Sequence, residues 1–173
     1  MRTETAAPAL SIQHLLRDHR NIEKILDGLE SLLDAKKKDP SWNTAASRAL
    51  EVLTGALERQ QRCHIRKEED VLFPFLEKFL PSDSGPLLVL RGEHQDLSAG
   101  FRSMLQAGEA LLQEKAPANA LGDLERFGRR TIQLARDHIY KEDRVLFPMV
   151  TRFLSSDQDA SLLAGLEAIR CGG

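Results

Sequence analysis

His64-Ile65-Arg66-Lys67-Glu68 and His138-Ile139-Tyr140-Lys141-Glu142 each set an imidazole and a carboxylate four residues apart. Both run on into the same apolar close, Val71-Leu72-Phe73-Pro74 and Val145-Leu146-Phe147-Pro148, and every equivalent position is 74 residues apart. A lone histidine precedes each copy: His19 lies 45 residues before His64, and His94 lies 44 before His138. Charged residues make up 29% of the chain, so one His-x-x-x-Glu says little; the doubled pattern with matched offsets is specific.

On a helix, positions i and i+4 project from nearly one face, about 6 Å apart along the axis. His64 with Glu68, and His138 with Glu142, can then each offer a nitrogen and an oxygen to one point. His19 and His94 add a nitrogen from each of two further helices. Imidazole with carboxylate suits iron, zinc, copper or manganese, and the lack of a thiolate argues against a soft site. Two carboxylates among four imidazoles fit two metals bridged by those carboxylates. With an added oxo or hydroxo bridge, five positions on each metal are filled and one stays open, which suits ligand binding or reactivity. The alternative is a metal-free network of mutually satisfied His–Glu pairs, a costly way to build a core.

The elements that must position these groups read as helices nearly throughout. Breaks fall at Asp39-Pro40-Ser41, at Pro81-Ser82-Asp83-Ser84-Gly85-Pro86 and around Lys115-Ala116-Pro117-Ala118-Asn119. Four long segments lie between them, at roughly 10–37, 42–80, 86–114 and 118–154, with a shorter one at about 157–169. Each long segment carries an apolar stripe in steps of three and four. The stripes are Ile12, Leu15, Leu16, His19, Ile22, Leu26, Leu29 and Leu33; Leu50, Leu53, Leu57, His64, Glu68 and Val71; Leu87, Leu90, His94, Leu97, Phe101 and Leu105; and Leu124, Phe127, Thr131, Leu134, His138, Glu142 and Val145. Ionisable groups thus stand where leucines would be expected, and a buried unpaired charge needs a partner or a metal. The expected architecture is all-α: an up-down antiparallel four-helix bundle with a short extra C-terminal helix. It forms a single domain with pseudo-twofold halves, the bundle at about 10–154.

A net charge of −2 gives no footprint for nucleic acid, and no apolar run approaches the ~20 residues that span a bilayer. Lys36-Lys37-Lys38 reads as a solvated helix end. Met1-Arg2-Thr3-Glu4 lacks the features of a signal peptide, and two cysteines, Cys63 and Cys171, make no disulfide framework, so a reducing cytoplasm is expected. Cys63 reads as a small buried residue beside His64, with redox sensing as its other reading. His14 and Tyr140 fall off the buried face. Leu162, Leu163 and Leu166 are expected to cap the bundle, with dimerisation as the alternative.

The ordered set resembles the hemerythrin-like family, the HHE cation-binding domain. The match is Asp18-His19, His64-x-x-x-Glu68-Glu69 with Leu72-Phe73-Pro74, Glu93-His94, and His138-x-x-x-Glu142-Asp143 with Leu146-Phe147-Pro148, over roughly residues 10–154. The resemblance implies a non-haem di-iron centre that meets oxygen, nitric oxide or peroxide, with His19, His64, Glu68, His94, His138 and Glu142 as ligands and the glutamates as bridges. Oxygen carriers of the family have a fifth histidine four residues after the third-helix one; here that position is Ser98. They also take the fourth-helix carboxylate from the position of Asp143, whereas the repeat favours Glu142, the counterpart of Glu68. The four-His, two-Glu set is similar to the family's iron–sulfur-cluster repair branch, which answers oxidative and nitrosative stress but usually carries an extra N-terminal domain with cysteines. Glu23, four after His19, is a further candidate ligand or acceptor, and Asp18, Glu93 and Asp137 are candidate acceptors for ligand imidazoles. Expected partners are a small diatomic or peroxide ligand and a redox protein, without nucleic acid or membrane. Reversible oxygen carriage or sensing without turnover, and iron storage or donation, are the alternatives.

Overall fold

The computed structural model describes residues 8–39, 41–81, 84–111, 113 and 117–171. Met1-Arg2-Thr3-Glu4, Pro40, Ser82, Asp83, Lys115 and Ala116, on which the leader and break readings partly rest, lie outside the described residues. The described residues are all-helical: α1 Leu10–Lys38, α2 Thr44–Lys67, a π-helical turn π1 Glu68–Leu72, α3 Phe73–Leu76, α4 Pro86–Ala110, α5 Ala120–Lys141, a second π turn π2 Glu142–Leu146, α6 Phe147–Phe153 and α7 Ser156–Ala168. Helix α1 packs on α2 and α5, and α4 packs on the same two, closing a four-helix ring.

Local chemistry sets the ends. Asn43 caps α2 by accepting from the Ala46 amide at 2.9 Å. Gly85 adopts φ 74°, a conformation side chains resist, and hands the chain to Pro86 at the start of α4. Between α4 and α5 the backbones come so close that a Cβ on Gly100 would stand 2.7 Å from Thr131 Oγ1. Ser155 and Gln158 form a capping box for α7. Asp159 of α7 in turn accepts from the Leu10 and Ser11 amides, each at 2.9 Å, so α7 caps α1.

Two apolar clusters sandwich the histidine layer. One runs from Ile22, Leu57, Leu97 and Ile139 toward Leu33, Met104 and Leu124. The other is the floor: Ile12, Leu15, Leu72, Phe73, Leu76, Leu87, Leu146, Phe147 and Val150, closed by Leu162 and Leu166. The C-terminal leucines therefore cap the bundle, as the capping reading has it.

The π turns correct the stripes. Beyond the glutamates, the buried positions are Leu72 and Leu146, while Val71 is only partly buried and Val145 is 61% exposed. From His64 the buried face runs through Glu68, Leu72 and Leu76 in three steps of four. In an unbroken α-helix those steps overshoot by about 120°. Pro74 and Pro148 lack the N–H for an i→i−4 bond and crowd the carbonyl four residues back. The ladder yields one extra residue just before each proline, with the Phe73 and Phe147 amides bonded to the Glu68 and Glu142 carbonyls. That insertion returns the apolar side chains to the core.

Candidate metal centre

Helices α1, α2, α4 and α5 each deliver one histidine to the layer, and π1 and π2 deliver the carboxylates. His19, His64, Glu68, His94, His138 and Glu142 are all brought together, none more than 4% exposed. Their donor atoms form two overlapping groups, His19–His64–Glu68–Glu142 and Glu68–His94–His138–Glu142, with the atoms of each within 4.8 Å of one another. Both groups contain both carboxylates, so each group could hold one ion and the two ions would share Glu68 and Glu142. Glu142 faces His19 Nε2 at 3.1 Å, His138 Nε2 at 3.4 Å and His64 Nε2 at 3.8 Å. Glu68 faces His94 Nε2 at 3.3 Å and His64 Nε2 at 3.4 Å.

A metal-free network would have to satisfy these groups internally, which it does only where an imidazole is protonated and pairs with a carboxylate. All four carboxylate oxygens of Glu68 and Glu142, with His94 Nε2 and His138 Nε2, are buried and have no hydrogen-bond partner. Buried polar atoms are paired in the great majority of cases, and one left unpaired costs about 1–3 kcal/mol. His19 Nε2 and His64 Nε2 stand 2.8 Å apart, so one ring must carry a proton that the other accepts. Inward lone pairs on hard and borderline donors are what divalent transition metals take up.

The outward nitrogens are held by a second set of carboxylates. Asp143 meets His19 Nδ1 at 2.6 Å, and Glu69 meets His94 Nδ1 at 2.7 Å. Glu93 meets His138 Nδ1 at 2.9 Å and also accepts from Lys141. Asp18 accepts from Lys67 at 2.6 Å and faces His64 Nδ1 at 3.6 Å, too long for a hydrogen bond. A carboxylate at Nδ1 fixes the proton there and leaves the Nε2 lone pair pointing inward. The floor completes the arrangement: Phe147 stacks on His19 at 5.3 Å and Phe73 on His94 at 5.7 Å between ring centroids. Phe73 and Phe147 thus close the floor and flank the histidine rings from below.

In the metal-free layer, protons provide the positive charge. Burial opposes charge on His64, yet Glu68, Asp18 and Glu142 raise its pKa well above 6.5. Burial and His64 both disfavour a charged His19, but Asp143 and Glu142 outweigh them and its pKa is raised. His94 is raised against burial by Glu68 and Glu69. Burial favours a neutral Glu68, but His64 and His94 hold its carboxyl well below 4.5. Asp18, pushed up by burial, is nonetheless held down to about 2 by His64 and Lys67.

Other sequence readings divide. Glu23 is not in the layer; it lies 3.5 Å from Arg136 on the bundle's flank. Asp137 is exposed and accepts from Gln133, so of the three candidate acceptors only Asp18 and Glu93 meet the layer. Asp143 orients His19 while Glu142 occupies the centre. His14 is outside the layer, partly buried, with its Nδ1 2.9 Å from Arg17. Ser98 donates to the His94 carbonyl at 2.9 Å. The structure pairs Cys63 with Cys171, Cα–Cα 5.3 Å, a single link rather than a disulfide framework, and Cys63 is buried, as the first reading of it has it. Glu69 was missed as a histidine partner, although it follows Glu68 as Asp143 follows Glu142. No helix among the described residues is long and apolar enough to cross a membrane.

The comparisons with known proteins agree with this geometry. Residues 10–150 match the model of the hemerythrin HHE cation binding domain. The chain is also similar to the iron-sulfur cluster repair protein YtfE of Yersinia pseudotuberculosis serotype IB (strain PB1/+), 26% identical over 106 residues, 61% of this chain and 48% of that protein. It therefore spans less than half the length of that relative. With the family model covering most of the chain and the His–Glu layer at its centre, the protein belongs to the hemerythrin HHE cation-binding family.

Proposed function

We propose that the chain is a non-haem di-iron protein that binds or reacts with oxygen, nitric oxide or peroxide in a cytoplasmic oxidative or nitrosative stress response. His19, His64, Glu68, His94, His138 and Glu142 would hold the metals, with Glu68 and Glu142 common to both groups of donors. The observation that carries this reading is the set of buried carboxylate and imidazole atoms that converge within 4.8 Å of one another without a hydrogen-bond partner. When bound, two irons supply open coordination positions and up to two electrons to a small ligand.

The chain's own residues make the rest of the site. Asp143, Glu69 and Glu93 keep the Nδ1 protons in place. Lys67 and Lys141 balance the charge of Asp18 and Glu93. Phe73, Phe147 and the floor exclude water from below. The burial of all six side chains disfavours easy donation of iron. The lack of a fifth histidine at Ser98 weighs against an oxygen carrier, and similarity to a repair protein favours stress chemistry.

Iron-loaded protein mixed with oxygen, nitric oxide and hydrogen peroxide in turn, followed by visible absorption and ligand consumption, tests the reading. A spectral change with at least one of the three is expected. Iron-loaded protein inert to all three would refute it.

A further inference from the structure

The repeat that places the six residues of the layer fails at one position that also faces it. Gln61 lies one turn before His64, and its counterpart 74 residues on is Ala135. Both line a cavity of about 10 Å³ above His64 and His138, otherwise walled by Ile22, Ile65, Leu97 and Ile139. Space of that order holds about one water-sized group. Besides the two histidines, Gln61 is the one polar side chain in this lining; it is 6% exposed, and its Oε1 has no hydrogen-bond partner. A buried amide without a partner is a penalty that an apolar side chain of the same shape would avoid. The same residue also lines an open groove of about 330 Å³ between α2 and α4, with Ile65, Ser98 and Phe101. Gln61 and Ile65 line both, and together they form the partition between the groove and the cavity, Gln61 supplying its polar part.

We propose that Gln61 admits and holds the exogenous ligand, an inference that rests on the metal-centre reading above. Its amide offers an N–H donor or a carbonyl acceptor to the far end of a ligand seated over His64 and His138. An otherwise apolar roof with one amide selects a ligand whose far end hydrogen-bonds, peroxide-like or azide-like, over neutral nitric oxide. Access runs along the α2/α4 groove and past the Gln61 side chain.

The test uses the full chain loaded with iron, as wild type, Gln61→Met and Gln61→Ala, titrated with azide and with nitric oxide by visible absorption. All three are expected to hold the same iron. Gln61→Met, which keeps the volume and removes the polarity, should weaken azide roughly three- to tenfold and nitric oxide less than twofold. Gln61→Ala, which opens the partition, should speed azide association in stopped flow. Without iron, Gln61→Met should melt roughly 2–4 °C above wild type, because a structural hydrogen-bonding role would lower the melting point. Full iron with unchanged azide affinity in both variants, or equal weakening of azide and nitric oxide, overturns the inference alone. A wild-type chain that takes up no iron overturns the metal-centre reading and this inference with it.

Discussion

The seam between α1 and α5 and the seam between α2 and α4 are built from equivalent positions of the repeat, yet one is stapled and the other open. Arg136 on α5 reaches Glu23 at 3.5 Å, Asp27 at 2.8 Å and Glu30 at 2.9 Å on α1. Its counterpart on α2 is Arg62, and the positions equivalent to those three acids are Ser98, Arg102 and Leu105. With no acid across the seam, Arg62 turns back to Glu58 of its own helix at 3.8 Å, and the groove beside it stays open. The layer beneath keeps the repeat: Asp18 matches Glu93, Glu69 matches Asp143 and Lys67 matches Lys141. Apart from Gln61 and its counterpart Ala135, symmetry is retained where groups face the centre and lost where they face solvent. A repeated frame thus builds the centre, while sequence differences on the flanks leave one seam stapled and the other open.

The largest expected effect breaks the shared carboxylates. Glu142 faces three histidines and Glu68 two, so both Glu142→Ala and Glu68→Ala should lower iron from two to one or fewer per chain, Glu142→Ala the further. Elemental analysis of each variant would decide it. Next come the carboxylates behind the histidines. Asp143→Asn and Glu69→Gln should each weaken metal affinity about ten- to hundredfold, by similar factors if the halves are equivalent, as competition with a chelator would measure.

Acidity distinguishes the empty layer from the filled one. In metal-free protein the pKa values of His19, His64 and His94 are raised above 6.5, so their contribution is full below pH 6.5 and is lost as pH rises through the folded values. Glu68 is held below 4.5 and Asp18 at about 2 against an ordinary 3.8, so their contribution is present above those ordinary values and is lost as pH falls. Metal-free protein should therefore melt highest between pH 4.5 and 6.5 and lose stability above that window. Metal-loaded protein should gain stability over the same rise, because protons compete with metal for the imidazoles. Thermal melts with and without iron would show opposite slopes.

The smallest effects sharpen the comparison of the seams. Arg136→Ala should cost about 1 kcal/mol or less, being a partly exposed network, and Arg62→Ala less still. Ser98→Glu, which puts an acid opposite Arg62, should slow azide association by closing the open groove. Denaturant melts and stopped-flow mixing would read these changes.

Much of this was legible in the chain because its signals are local. Helices α1, α2, α4 and α5 follow from their stripes, and the six central residues from a doubled four-residue spacing. The π turns were not read, though three successive steps of four from His64 to Leu76 contain them; their cause is the missing N–H of Pro74 and Pro148 acting backward along the helix. Asp137 was misread because adjacency to a ligand histidine does not fix direction: it lies on the solvent side of α5, whereas Asp18 and Glu93 face a neighbouring helix. The Cys63–Cys171 pairing joins residues 108 apart and depends on α7 folding back over the bundle, which no local pattern encodes.

Metal content per chain is the most direct test of the central claim, made on protein produced with iron available and purified without chelators. The account predicts two irons per chain. One zinc, or no metal, would contradict it and leave the histidine–glutamate layer as a mononuclear or metal-free core.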